Sequence, residues 1–111
     1  MKIIKNIEHS DNIDGVSKIT LDTFQDFRGE IWTLYSKEYC DYDFVADKIT
    51  ISRFGALRGF HGDPYTAKLI SCLSGQFQLA IVDTRGGSDT YGNVETYLIS
   101  DNEPAVVVVP S

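Results

Sequence analysis

The sequence predicts an all-β domain, a sandwich or barrel. Three observations predict it. No segment carries a helical period, and short apolar runs separated by turn residues recur from end to end. Several of those runs alternate apolar and polar residues, the pattern of a strand with one face buried. The chain has 111 residues, of which 42% are hydrophobic and 12% aromatic, enough for one core and one domain.

The elements follow in order. Residues 2–7 form a short first strand, and Ser10–Gly15 is a turn rich in Asp and Asn. Val16–Phe24 is a second strand, with Val16, Lys18, Thr20 and Asp22 opposite Ile19 and Leu21. Glu30–Ser36 alternates cleanly, Ile31, Thr33 and Tyr35 against Trp32 and Leu34. Lys37–Asp43 is polar and acidic, a loop with room for one helical turn. Phe44–Phe54 is the next strand, with Ile49 and Ile51 against Lys48, Thr50 and Ser52. Residues 55–75, GALRGFHGDPYTAKLISCLSG, place an apolar strand at each end of a tight turn, Gly62-Asp63-Pro64. Gly75–Val82 alternates again, with Phe77, Leu79 and Ile81 on one face. Thr84–Gly92 holds three glycines and reads as a long hairpin loop. Asn93–Ser100 and Ala105–Val109 complete the set, about nine strands in all.

Charge and cysteine usage exclude some functions. A net charge of −6 and a pI near 4.7 argue against a general nucleic-acid binder, which needs a basic face. A small anionic ligand stays possible, because Lys48, Arg53, Arg58 and Lys68 lie close in sequence and Arg28 could join them. Cys40 and Cys72 have no metal-binding spacing and form no disulfide framework; Cys72, in an apolar strand, is expected to be a small buried hydrophobe. The start, MKIIKNIEHS, lacks the apolar run of a signal peptide. The longest aliphatic run, Ala105–Val109, is far too short to span a membrane as a helix. A soluble cytoplasmic protein without membrane or nucleic-acid partners is the expectation.

The candidate chemistry sits in residues 55–75. His61 can exchange a proton near neutral pH, since its ordinary pKa is about 6.5. Lys68, seven residues on across the turn, can hold developing negative charge. Arg58 and His61 are three residues apart, which on a regular strand points them to opposite faces. A bulge at Gly59 would re-phase the strand and turn both into one cavity.

Gly55, five residues, then His61 resembles the opening of the first cupin motif. Metal cupins follow it with a second histidine and a glutamate; here Asp63 and Lys68 stand instead, a poor ligand set, so no metal and no cofactor are expected. LRGFH followed by AKL, with FQDFRG upstream, resembles the dTDP-4-dehydrorhamnose 3,5-epimerases, metal-free cupins, over about Phe24 to Pro110. The resemblance implies a cupin-type double-stranded β-helix, or jelly-roll barrel. It implies an isomerase that abstracts a proton beside the 4-keto group of a nucleotide-linked sugar in deoxysugar biosynthesis.

Residue by residue, the resemblance makes His61 the base and Lys68 the cation beside the keto oxygen. It makes Phe24, Arg28, Ser52, Arg58 and Asp83 substrate contacts, with Thr50 beside Ser52 and Arg28 reaching a neighbouring subunit's pyrophosphate. It therefore implies a homodimer. Ser88, Thr90 and Gly92 match a structural loop pattern, and Asp83 with Arg85 the D-x-R at a strand end, where an aspartate is more often a turn residue than a pocket residue. Four departures stand out. Thr33 replaces a glutamate beside the base moiety, Ala46 and Lys48 replace a Gln and an Asn, and Gly62-Asp63 replaces an aromatic and a glutamine. The family also continues past the strand matched by Val106–Pro110 into segments carrying a tyrosine acid and the aspartate paired with the base, so residues 1–111 are expected to form one incomplete cupin domain. Two readings follow: an epimerase, or a cupin that keeps a sugar or nucleotide pocket without turnover.

Overall fold

The computed structural model describes residues 2–111, and among them every regular element is a strand. The strands are β1 (Ile4–His9), β2 (Ser17–Leu21), β3 (Phe24–Asp26), β4 (Gly29–Ile31), β5 (Lys68–Ser71), β6 (Gln76–Val82), β7 (Val94–Ser100) and β8 (Ala105–Val109). They form an antiparallel four-stranded sheet in the order β1-β2-β8-β5 and two ribbons, β3–β4 and β6–β7.

The aliphatic run Ala105–Val109 explains the centre of the fold. β8 is bonded on one side to β2 (Ile19 opposite Val106) and on the other to β5 (Leu69 opposite Val108). Both its faces are covered, which is why it reads as a continuous apolar run rather than an alternation. Val107, 0% exposed, packs with Ile13, Val16, Cys72, Ile81 and Ile99, beneath the β6–β7 ribbon. Val106 and Val108 face the other way, onto Ile19, Leu21 and Cys40. Trp32, Leu34, Tyr39 and Phe44 close that second face from the segment after β4. Tyr39 donates its hydroxyl to the Leu34 carbonyl, and burial raises its pKa to about 12.

Several expectations hold and two need correction. The turn at 10–15, the loop at 84–92 and the strands flanking that loop stand as expected, whereas the first strand runs Ile4–His9 and the expected Val16–Phe24 strand ends at Leu21, with Phe24 opening β3. Gly15, at φ +89°, makes its turn where a Cβ would come within 3.0 Å of the Pro110 ring, so glycine fits there for space as well as dihedral. The loop at 37–43 holds one helical turn, closed by the Cys40 N–H donating to the Ser36 carbonyl at 3.1 Å. Cys72 is buried as expected, and Cys40, read from a polar stretch, is buried too.

The first correction is that Glu30–Ser36 is a strand only to Ile31; its later apolar residues cover the second core cluster without a ladder. The second is larger. Phe44–Phe54 and the start of the 55–75 segment are not strands, and every residue from 45 to 66 is exposed. Alternation selects a face, but a strand also needs a neighbour for its N–H and C=O groups. No described strand lies beside this arm.

Candidate active site

The expected site residues fall in three places. The first is the exposed arm. Arg58 donates its Nε–H to the Ser52 hydroxyl at 2.9 Å, so two expected substrate contacts are held together. Gly59 has φ +137°, a backbone that departs from regular strand geometry, but with no partner strand the expected bulge is not formed. His61 is exposed on this arm. Just beyond it, the Asp63 carboxylate accepts the Tyr65 N–H at 2.8 Å, closing the expected turn. That hydrogen bond, helped by Thr66 and by the charge of Lys68, holds the Asp63 carboxyl below its usual range.

The second place is the sheet. Lys68 opens β5 opposite Val109, half-buried, and donates Nζ–H to the Thr66 carbonyl at 3.4 Å. His61 and Lys68, the expected base and cation, are therefore not held side by side. Lys68 is fixed by a ladder, whereas His61 stands in open solvent on the unpaired arm.

The third place is the β3–β4 ribbon. Phe24 pairs with Ile31 at its base, and Arg28 sits in its turn. Asp26 accepts the Arg28 backbone N–H at 2.8 Å and its Nη2–H at 2.6 Å, while Arg28 also lies 6.0 Å from the centre of the Phe27 ring. The pairing lowers the Asp26 pKa and raises that of Arg28. At the foot of the ribbon a cleft of about 270 Å³ is lined by Ile3, Asp22, Phe24, Ile31 and Thr33. A second cleft, about 290 Å³, lies between Glu30, Trp32, Leu34 and Leu73.

Asp83 needs separate treatment. It is 3% exposed, and its carboxylate accepts the Arg85 backbone N–H, the Arg85 guanidinium at 3.0 Å, and the Ser88 and Thr90 hydroxyls at 2.6 Å each. Arg85 reaches on to the Asp14 carbonyl at 2.8 Å. These bonds drive the Asp83 carboxyl far below the ordinary range, Arg85 contributing most. The pocket-lining role expected of Asp83 gives way to a structural one: it braces the β6–β7 loop against the 10–15 turn. The S-x-T pattern carried this signal, since both hydroxyls are its ligands. Sequence reading did not single out Asp22, which lines the first cleft and donates its N–H to the Ile3 carbonyl at 3.0 Å.

The comparisons with known proteins agree with one another. The family model for dTDP-4-dehydrorhamnose 3,5-epimerase matches residues 10–111. A dTDP-4-dehydrorhamnose 3,5-epimerase of Streptomyces griseus is 36% identical over 94 residues, 77% of this chain and 47% of the relative. The crystal structure of the enzyme of that name from Elizabethkingia anophelis NUHP1 superposes with a TM-score of 0.80 at 29% identity, over 96% of this chain and 62% of the other. The dTDP-6-deoxy-D-glucose-3,5-epimerase RmlC of Legionella pneumophila Philadelphia 1, in complex with dTDP-4-keto-L-rhamnose, gives a TM-score of 0.84 at 30% identity, over 96% and 60%. The chain thus spans about half the length of the Streptomyces relative and somewhat more of the two solved structures. Its fold is the cupin-like jelly roll, and on the match across residues 10–111 the chain belongs to the dTDP-4-dehydrorhamnose 3,5-epimerase family.

Proposed function

We propose that the chain acts on a nucleotide-linked 4-keto sugar as an epimerase of the rhamnose-forming type, in the cytoplasm. The observation that carries this is the superposition on a solved epimerase in complex with dTDP-4-keto-L-rhamnose, at a TM-score of 0.84 over 96% of the chain. A carbonyl at carbon 4 acidifies the protons on carbons 3 and 5. His61 is the base that takes one of them, and the Lys68 ammonium holds the charge that develops on the keto oxygen, so the step needs no metal. Arg28 and Arg58 take the anionic pyrophosphate and sugar, with Ser52 orienting Arg58 and Phe24 offering a ring face to the base. Inversion requires an acid on the opposite face; Tyr65, exposed beside the Asp63 turn, is the first residue of this chain to test in that role.

A second reading is favoured by one specific observation. Lys68 is anchored in β5 while His61 lies on an arm without strand partners, so base and cation are not held in a fixed relation. This arrangement suits a module that binds the sugar nucleotide without inverting it.

Incubation with a 4-keto sugar nucleotide in heavy water separates the readings. For the enzyme, deuterium enters the sugar, and His61→Ala slows entry by about 100-fold or more. Binding without deuterium entry supports the module. Entry that ignores His61→Ala removes His61 from the mechanism.

A further inference from the structure

The exposed arm holds a stretch, residues 47–53, whose pattern is symmetric about Thr50. Ile49 and Ile51 flank it, Lys48 and Ser52 are polar, and Asp47 and Arg53 close the two ends with opposite charges. Ile49 is 80% and Ile51 89% exposed. Among the described residues, the backbone N–H and C=O groups of 47–52 have no hydrogen-bond partner within the chain. Among the same residues, Asp47, Lys48 and Arg53 stand in no ion pair. No described residue other than glycine has a positive φ, so the stretch can enter a ladder without rebuilding a left-handed turn. Backbone groups, β-branched side chains and end charges are thus all left for a partner.

We infer that residues 47–53 pair with the same stretch of a second copy of this chain, antiparallel and centred on Thr50. A two-fold axis through Thr50 sets each residue opposite the one equally far on the other side. Thr50 then faces Thr50, Ile49 faces Ile51, Lys48 faces Ser52, and Asp47 faces Arg53. Alternation puts Asp47, Ile49, Ile51 and Arg53 on one face, so each isoleucine meets an isoleucine and an ion pair closes each end. Threonine pairs, β-branched pairs and opposite-charge pairs each stabilise antiparallel strands. The charges also set the register. A slip of two residues either way puts Asp47 against Ile51 or Gly55, and a parallel pairing in register puts Asp47 against Asp47. On the second face, the partner's Lys48 comes opposite Ser52, whose hydroxyl accepts the Arg58 Nε–H at 2.9 Å, so a cation from each chain meets there. This contact is separate from one that would carry Arg28 to a neighbouring subunit, and it does not depend on the nucleotide-sugar reading.

The test is a charge swap read by analytical ultracentrifugation on the whole chain. Asp47→Arg sets arginine against arginine at both ends of the pairing, and Arg53→Asp sets aspartate against aspartate. Each is expected to weaken the dimer at least about tenfold. The double variant, Asp47→Arg with Arg53→Asp, restores opposite charges and should return the dissociation constant to within about threefold of the wild type. All four positions to be changed are exposed and outside any strand, so the variants keep the fold. Single cysteines read the register, with Cys40 and Cys72 buried and out of reach. Thr50→Cys meets its own copy within the roughly 4.4–6.8 Å between Cα atoms that a disulfide spans, and should cross-link on mild oxidation. Ser52→Cys lies four residues from its copy, about 13 Å along the strand, and should not. A wild type that stays monomeric overturns the inference. So does a dimer that neither single charge variant weakens, a double variant no tighter than the singles, or cross-linking as complete at position 52 as at 50.

Discussion

The Asp83 carboxylate is almost fully buried and ties its own loop together. Its place in D-x-R at a strand end was legible, and so was the S-x-T pattern beyond it. What the sequence lacked was the direction of the side chain, which turns inward and takes four side-chain and backbone donors from its own loop. Removing the carboxylate leaves the Arg85 guanidinium and two hydroxyls without their acceptor. Asp83→Ala should lower the melting temperature by at least about 5 °C, measured by differential scanning calorimetry. The pH dependence has a definite sign. The folded pKa lies below the unfolded value, so the stabilisation is complete above about pH 4 and is lost as pH falls from there towards the folded pKa. Asp83→Asn should flatten that part of the acid limb; an unchanged acid transition would contradict the assignment. His61 and Lys68 carry the opposite lesson. Their residue types led to the proposed proton transfer and charge stabilisation, but their mutual distance depends on an arm whose course no local pattern encodes.

At the scale of elements, strands that find neighbours within the chain were legible nearly to the residue: Ala105–Val109, Gly75–Val82 against the observed Gln76–Val82, and Asn93–Ser100 against Val94–Ser100. The arm was not, although Ile49 and Ile51 alternate as well as any of them. Periodicity reports which face is apolar and is silent on whether a ladder exists. The arm also carries Lys48, Arg53 and Arg58, all exposed and outside any ladder. Backbone without ladder bonds opens at low cost in free energy, so these sites should be cut before any in the sheet. Brief trypsin treatment followed by mass spectrometry should find first cleavage after Lys48, Arg53 or Arg58. A saturating sugar nucleotide should slow it several-fold if Arg58 binds the ligand. First cleavage at Lys18, in β2, or at Arg85, held by Asp83, would contradict this picture.

For the whole molecule, exposed apolar surface is concentrated on the ribbon tip and the arm. Phe27, Val45, Phe54 and Leu57 are almost fully exposed, and Ile49, Ile51 and Phe60 largely so. Isolated apolar residues on a surface are ordinary, but a collection of this size marks a contact. Among the described residues β1 and β5 are the outer strands of the sheet, and an outer strand's unpaired N–H and C=O groups favour pairing between chains. A homodimer is therefore the proposed solution state, and light scattering at micromolar concentration should return about twice the 12.4 kDa of one chain. A mass of one chain would contradict it. The family could be read from LRGFH, AKL and FQDFRG because a few side chains at fixed spacing define it. Assembly could not, because it depends on which faces remain uncovered after folding.

The position of β8 has a consequence for biosynthesis. It is one of the sheet's two inner strands, between β2 and β5, yet it follows the other seven described strands in sequence. During translation the ribosome releases β1, β2 and β5 before the strand that joins β2 to β5 exists. The β1–β2 and β6–β7 hairpins can zip locally as they emerge, whereas the four-stranded sheet has to wait, its apolar faces open to chaperones and to neighbouring nascent chains. Nascent chains stalled with residues up to 100 outside the exit tunnel should hold hairpins but no sheet, and exposure of Ala105–Val109 should bring the sheet together in one late, cooperative step.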